Sequence, residues 1–530
     1  MNRDQFLLRA AALPHAPFWI ASASVFATAA AWRLIDGRRI FPRFEPSLAG
    51  ACALAAGASL AAALSFTAVL GEPKPNVHDE YSYLLAADTF SRGRLTNPTH
   101  PMWRHFESPH IFHRPTYMSK YPPGQGMALA LGQALSGHAV AGVWLSVAAA
   151  CAALCWMLAA WVPVRWALAG SLLAAVHPLV VAWSMTYRGG AVGFLGGCLL
   201  LGAWKRLRRR PEPVLGAVFG FALAVLANSR PFEGLVFSLP LGLMLLADWR
   251  RNARALASCA AVVVAAAAWM LYYNWRITGD PLLMPYMLHE QTYSLYPTFV
   301  WQDPRPEPKF SHALLRSFHV DWEFGHFLSL RSSFGFIQGT AIKLWILIEA
   351  YLGAPLLVLP LWAMLSHAAR DREAAALAAY GTLFIAATMA AVWSNPEYVG
   401  PAVGLFFLVI TLGLRRLDAF RLSAVVLGSA LSMFLFPRNI ILFSTGTSRP
   451  RLEASLTEKG GKHLVAVSYG PNQYPHDEWV YNGADIDLQR VVWAHSLSPA
   501  EDKELALYYK DREARHLLVE VTTPERGSER

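Results

Sequence analysis

An all-α, polytopic membrane bundle followed by a small soluble α/β module is the fold the sequence predicts, on three observations. Of the 530 residues, 55% are hydrophobic and only 15% charged, against about 25% charged in an ordinary soluble domain. Apolar runs recur from residue 16 to residue 437, and a helix needs roughly 20 such residues to cross the hydrocarbon. After residue 437 the apolar runs give way to short strand-like segments. Backbone groups in lipid must pair within their own segment, which makes the apolar runs helices.

The first run, residues 16 to 36, lacks a small-residue cleavage site and is followed at once by another, so it reads as a retained helix rather than a signal peptide. The net charge of +10 does not mark a nucleic-acid binder, because the basic residues cluster in short connections between apolar runs. These clusters are Arg33 to Arg43, Lys205 to Arg210, Arg250 to Arg254, Arg370 with Arg372, and Arg415 to Arg421. That distribution is the positive-inside pattern of cytoplasmic loops.

With those loops inside, the length rule gives about twelve spans: 16 to 36, 47 to 70, 126 to 161 (long or broken), 165 to 185, 189 to 204, 213 to 228, 234 to 249, 255 to 273, 338 to 366, 374 to 394, 398 to 414 and 421 to 437. Both termini then lie outside. Glycines between Gly189 and Gly197 let neighbouring helices approach closely. All five cysteines sit inside apolar runs, where they pack as small hydrophobes.

The transmembrane domain is thus residues 1–437. Two of its outward loops, 71–125 and 274–337, are long and rich in aromatic residues, Pro and His. Loops of that length in a compact protein are functional or disordered, and their aromatic density argues for order. The soluble module, 438–530, carries three strand-like segments, "HLVAVSY", "LQRVVWAH" and "RHLLVEV", around a helix capped by Ser498, Pro499 and Glu501.

The residues able to carry chemistry gather in the outer loops. Asp79 and Glu80 stand side by side just after the second apolar run, ahead of a helix-like segment. Neighbouring acids diverge on a helix or a strand, so one enters a given cleft and the other supports it. A partly desolvated carboxylate there acts as a base or holds a cation; alternatively both acids mark the water interface. In the same loop "HRPTYMSKYPPGQG" holds Lys120 ahead of Tyr121 and a Pro-Pro pair that fixes an extended turn into the next run.

The spacing of "DEYSYLLAADTFSRGRL" to "SKYPPGQG" resembles the GT-C glycosyltransferases, in particular the group around protein mannosyltransferases and lipid A aminoarabinose transferases, and within it bacterial RgtA/B/C/D-like proteins. The resemblance covers roughly residues 60 to 415 and is carried by the first outer loop.

It implies a GT-C-like bundle in a bacterial inner membrane, with its site on the periplasmic face. The reaction it implies moves a sugar from a polyprenyl-phosphate donor to a glycolipid, polysaccharide or protein acceptor, with inversion. Asp79 would be the base or the acceptor-orienting acid and Glu80 its support. Lys120, Arg114, Arg188 and Arg230 would offset charge on the departing phosphate, while the apolar helices hold the prenyl tail among membrane lipid.

Tyr121, His113, His289, Glu290 and Tyr398 would line the substrate loops. In "EYVGP" the residue before Tyr398 is Glu397, where relatives carry Arg or His, so a phosphate-binding role does not transfer to that position. Arg188 and Arg230 have a structural alternative, snorkelling to headgroups or pairing with a nearby acid such as Glu233.

The resemblance brings no certain cofactor. Histidines concentrate outside, at positions 78, 100, 105, 110 and 113 and at 289, 312, 319 and 326. With Asp79, Glu80, Glu107 and Glu290 they offer ligands for a divalent metal ion, though only His110/His113 and His289/Glu290 approach a ligand-pair spacing.

The competing class is a secondary transporter or lipid-linked sugar flippase. It calls for ionisable residues at mid-membrane and for repeated halves. Lys343 and Glu349 are the visible ionisable residues away from run ends, and no repeat is evident. A scaffold would leave Asp79 and Lys120 without a task.

Overall fold

The structure is a computed structural model, and it describes residues 46–352, 355–368, 371–417, 448–470, 473–476 and 478–519, with 425 and 428. The expected spans 16 to 36 and 421 to 437, and both chain termini, lie outside the described residues.

Within them the apolar runs are helices. Leu48–Leu70, Ala139–Leu158 and Trp249–Thr278 are each long and apolar enough to cross a membrane; Val164–Ala175 and Pro178–Ser184 do so together, bent by 60°. The bend sits where Pro178 removes a backbone donor. The run 126 to 161 is two helices, Pro123–Ser136 and Ala139–Leu158, because Gly137 turns into the left-handed region at φ 81°. The run 338 to 366 likewise divides, into Ser333–Tyr351 and Val358–Ala368 around Pro355.

Close packing depends on glycine where the sequence placed it. A Cβ on Gly197, in the helix Gly190–Leu207, would stand 1.9 Å from the carbonyl oxygen of Pro401. Only hydrogen fits there, so this helix meets the short turn Gly400–Ala402 backbone to backbone.

The basic connections meet at one end of the bundle. Lys205 pairs with Glu373, Arg251 donates to the Arg208 carbonyl at 2.9 Å, and Arg416 pairs with Asp371 at 3.2 Å. Lys343, the cation inside an apolar helix, donates its ammonium to the carbonyl of Ala391 at 2.6 Å, beyond the end of the helix Arg372–Met389. It satisfies a backbone acceptor near a helix C-terminus, as a cation there should. Glu349 is exposed on the same helix as Lys343.

Both long loops carry secondary structure, and about half of the first is buried. The first contains the helix His78–Ser91 and a two-stranded hairpin, Ile111–Phe112 against Met118–Ser119. The second contains the helix Pro285–Tyr293 and a π-helical stretch, Ser317–Phe324.

Residues 448–519 form a parallel three-stranded sheet. His463–Tyr469 lies in the centre, flanked by Val491–His495 and Glu513–Val519, with helices Ser448–Lys459 and Pro499–Tyr508. This unit does not hang free. Leu464, Tyr481, Ile486 and Val492 share one hydrophobic cluster with Leu85, Phe106, Ile111 and Tyr117 of the first loop. Asp485 bridges Arg92 and Arg94, each at 2.7 Å, and Asp88 accepts the Ala484 N–H at 2.7 Å.

Candidate active site

The helix His78–Ser91 places both acids in its first turn, where side chains diverge. Glu80 is buried. Its Oε2 accepts the N–H groups of Asn76 (2.8 Å) and Val77 (3.3 Å), and its Oε1 accepts the Thr186 hydroxyl (2.5 Å) and the Tyr187 N–H (3.0 Å). Four donors occupy this carboxylate, which locks residues 186–187 against the start of the helix.

Asp79 points elsewhere, with one third of its side chain exposed. Its Oδ1 accepts the Tyr121 hydroxyl, and its Oδ2 faces His110 Nε2 at 3.9 Å. It is the acid of the pair left open to a ligand.

Tyr121 stacks on Tyr83 at 4.4 Å and so fixes the Lys-Tyr-Pro-Pro turn against the helix. The Lys120 N–H donates to the His110 carbonyl at 3.1 Å. Its ammonium is buried against the ring faces of Tyr121 (5.3 Å) and Tyr286 (5.5 Å), with no hydrogen-bond partner among the described residues. Burial lowers its pKa, while Glu323, Asp79 and Glu290 oppose that shift. A buried cation without a partner is costly and calls for an anion.

A second cationic group borders the first. Arg230 lies over the Tyr398 ring at 4.2 Å rather than pairing with Glu233. Arg188, 42% exposed, reaches Glu397 at 3.4 Å. Burial raises the Tyr83 pKa; Arg230 opposes that shift, and Asp79 and Glu397 reinforce it. In the second loop Glu290 binds Arg305 at 3.0 Å beside the buried His289.

Two residues of the expected set stand apart. Arg114 is exposed over Trp103 at 5.7 Å. His113 is buried in loop packing, donating from Nε2 to the Phe106 carbonyl (2.8 Å) and stacked on Tyr117 (4.6 Å). Conversely, sequence reading did not bring in the tail. Tyr481 meets His78 Nδ1 at 2.5 Å and stacks on Tyr81 at 4.1 Å, and His476 stacks on His78 at 5.1 Å. The polar and aromatic density of "YGPNQYPHDEWVYNGADID" was the available signal.

Among the described residues one group brings three metal-type ligand atoms within 4.8 Å of one another, His312, Glu478 and His495. Its geometry does not suit an ion. The His312 and His495 rings stack at 3.6 Å and 23°, so their in-plane lone pairs run alongside each other instead of converging. His312 Nδ1 already accepts the Leu315 N–H and Nε2 meets the Glu107 carbonyl at 3.1 Å. Glu478 lies 3.3 Å from His495, which makes the group a buried polar joint between the second loop and the tail.

Two crystal structures of ArnT from Cupriavidus metallidurans align with this architecture. The apo form matches with a TM-score of 0.52 and 15% identity over 87% of this chain and 92% of ArnT. The form bound to undecaprenyl phosphate matches with a TM-score of 0.50 and 13% identity over 87% and 89%. The chain shares the fold of ArnT. No protein-family model matches the sequence, and no curated protein does. The likeness to ArnT therefore lies in the path of the backbone.

Proposed function

We propose that the chain is an integral-membrane glycosyltransferase that moves a sugar from a polyprenyl-phosphate donor to an envelope acceptor on the periplasmic face of a bacterial inner membrane. The observation that carries this reading is the open Asp79 carboxylate, held by Tyr121, beside the buried and unpartnered ammonium of Lys120. The undecaprenyl phosphate bound by ArnT supports the class of lipid carrier.

In this reading Asp79 accepts the proton of the acceptor hydroxyl as its oxygen bonds to the anomeric carbon. The bond from that carbon to the phosphate oxygen breaks on the opposite face, inverting the centre, and polyprenyl phosphate leaves with an added negative charge. Lys120 supplies a fixed positive charge for it, and Arg230 and Arg188 border the same path. Glu80 keeps Asp79 in place by holding the first turn.

A transporter or flippase draws less support, since Lys343 is spent on the Ala391 carbonyl. The test is a transfer assay with the full chain in lipid nanodiscs, given labelled polyprenyl-phosphate sugars and envelope fractions. Label reaching an acceptor with wild type and not with Asp79→Asn supports the reading. Movement of intact donor across a sealed bilayer without transfer contradicts it.

A further inference from the structure

Beside Asp79 stand four buried histidines, three of them with a ring nitrogen that has no hydrogen-bond partner among the described residues. His78, His110, His289 and His319 are each at least nine-tenths buried; His110 Nδ1, His289 Nε2 and His319 Nε2 make no hydrogen bond among the described residues, while the His78 ring meets the Pro475 carbonyl as well as Tyr481. Their rings follow one another at 5.8 Å (His78 to His110), 6.1 Å (His110 to His289) and 5.7 Å (His289 to His319). The Phe318 ring lies beside three of them, at 4.8 Å from His78, 5.4 Å from His110 and 5.0 Å from His319.

Each ring is fixed from outside the cluster or by its neighbours. Tyr481 holds His78 through Nδ1 at 2.5 Å, and Glu323 holds His319 through Nδ1 at 2.6 Å. Three unsatisfied nitrogens in one buried group are expensive in a folded chain and call for a ligand with several small polar groups.

Three properties narrow that ligand. Among the described residues no three of these nitrogens come close enough to share a metal ion. Burial holds the pKa of His78, His110 and His289 well below its ordinary value, so those rings are neutral and do not attract a phosphate. A neutral imidazole offers one donor and one acceptor, which is what a hydroxyl group pairs with.

Position narrows it further. His110 faces Asp79, while the Lys120 ammonium acts electrostatically on both His110 and His289. The group being transferred must lie between the base and the phosphate. We propose that the His78–His110–His289–His319 cluster is the subsite for the ring hydroxyls of an uncharged donor sugar, with Tyr481 of the tail as a positioning residue for His78. The inference rests on the donor reading above and adds to it the side chains that read the sugar.

The test compares lipids binding to the purified full chain in nanodiscs: undecaprenyl phosphate alone, and undecaprenyl phosphate carrying glucose, galactose or mannose. At least one sugar-bearing lipid binds about tenfold or more tighter than the bare lipid, as a few neutral hydrogen bonds provide. His289→Leu and His110→Asn, the latter tolerant of the positive φ at this position, lower that affinity to the bare-lipid level and leave bare-lipid binding unchanged. His289→Gln retains part of the advantage because it keeps a donor and an acceptor. Tyr481→Phe, which removes one hydroxyl, reduces the advantage without loss of fold.

Equal binding of bare and sugar-bearing lipids by wild type overturns the subsite, as does an equal loss of both in the histidine variants. Failure of wild type to bind any of these lipids overturns the donor reading itself and the subsite with it.

Discussion

The Tyr121 hydroxyl donates to Oδ1 of Asp79 across 42 residues of chain, joining the Lys-Tyr-Pro-Pro turn to the first turn of the outer helix. The Asp79 carboxylate and the turn that carries Lys120 are thereby set by one contact. Tyr121→Phe keeps the stack on Tyr83 and frees the carboxylate to rotate. It should lower kcat about tenfold or more while changing donor KM less, which steady-state transfer kinetics would show. An unchanged kcat would mean that the contact does not orient the base.

Asp79 and Glu80 separate by stability. Glu80→Gln replaces an acceptor oxygen by an amide donor that faces backbone N–H groups, a loss of about 1–3 kcal/mol or more. A lower Tm with activity falling in step is expected, whereas Asp79→Asn should melt close to wild type. Differential scanning fluorimetry of the two variants checks the contrast.

Lys120 gives the alkaline limb. Its folded pKa lies below the ordinary lysine value, so the ammonium is lost at lower pH than from a free lysine. Donor KM should therefore rise with pH earlier than an ordinary lysine allows. Lys120→Arg, whose guanidinium stays charged, should move that rise upward. A pH profile of donor KM identical in the two proteins would contradict the assignment.

Acid should loosen the outer face. Burial holds His113 and His312 at about 3, against an ordinary 6.5. Desolvation alone would raise Glu478, yet His495 and hydrogen bonding outweigh it and hold it at about 2 against 4.5. In all three cases the unfolded chain binds more protons, so stability is present at neutral pH and lost as pH falls. The histidine part fades below 6.5, costing at most about 2 kcal/mol per imidazole at pH 5, and the carboxylate part below 4.5. The Tm should be flat from pH 7 to 8 and several degrees lower at pH 5; a Tm indifferent to that change would contradict the burial.

Much of this was legible because membrane helices announce themselves by composition. The runs, the basic connections and the acid pair with its Lys-Tyr-Pro-Pro partner all follow local rules. Where runs break was less legible: Gly137 and Pro178 divide apolar segments by backbone geometry, to which hydropathy is blind. Sequence could rank Asp79 and Glu80 only by alternation. Their difference comes from residues 186–187, brought in from more than 100 positions away. The reach of Tyr481 and His476 into the site was hidden for the same reason, because a long-range contact leaves no local period in the chain. Lys343, an oddity in an apolar run, became a cap only once Ala391 was beside it.

The measurement that bears most directly on the central claim is a mass-spectrometric comparison of envelope glycolipids, polysaccharides and glycoproteins from three strains of the source organism: wild type, deletion, and deletion carrying Asp79→Asn at equal protein level. The account predicts that both altered strains lack the same sugar on the same acceptor and accumulate its polyprenyl-phosphate donor. Restoration of the wild-type pattern by Asp79→Asn would contradict it.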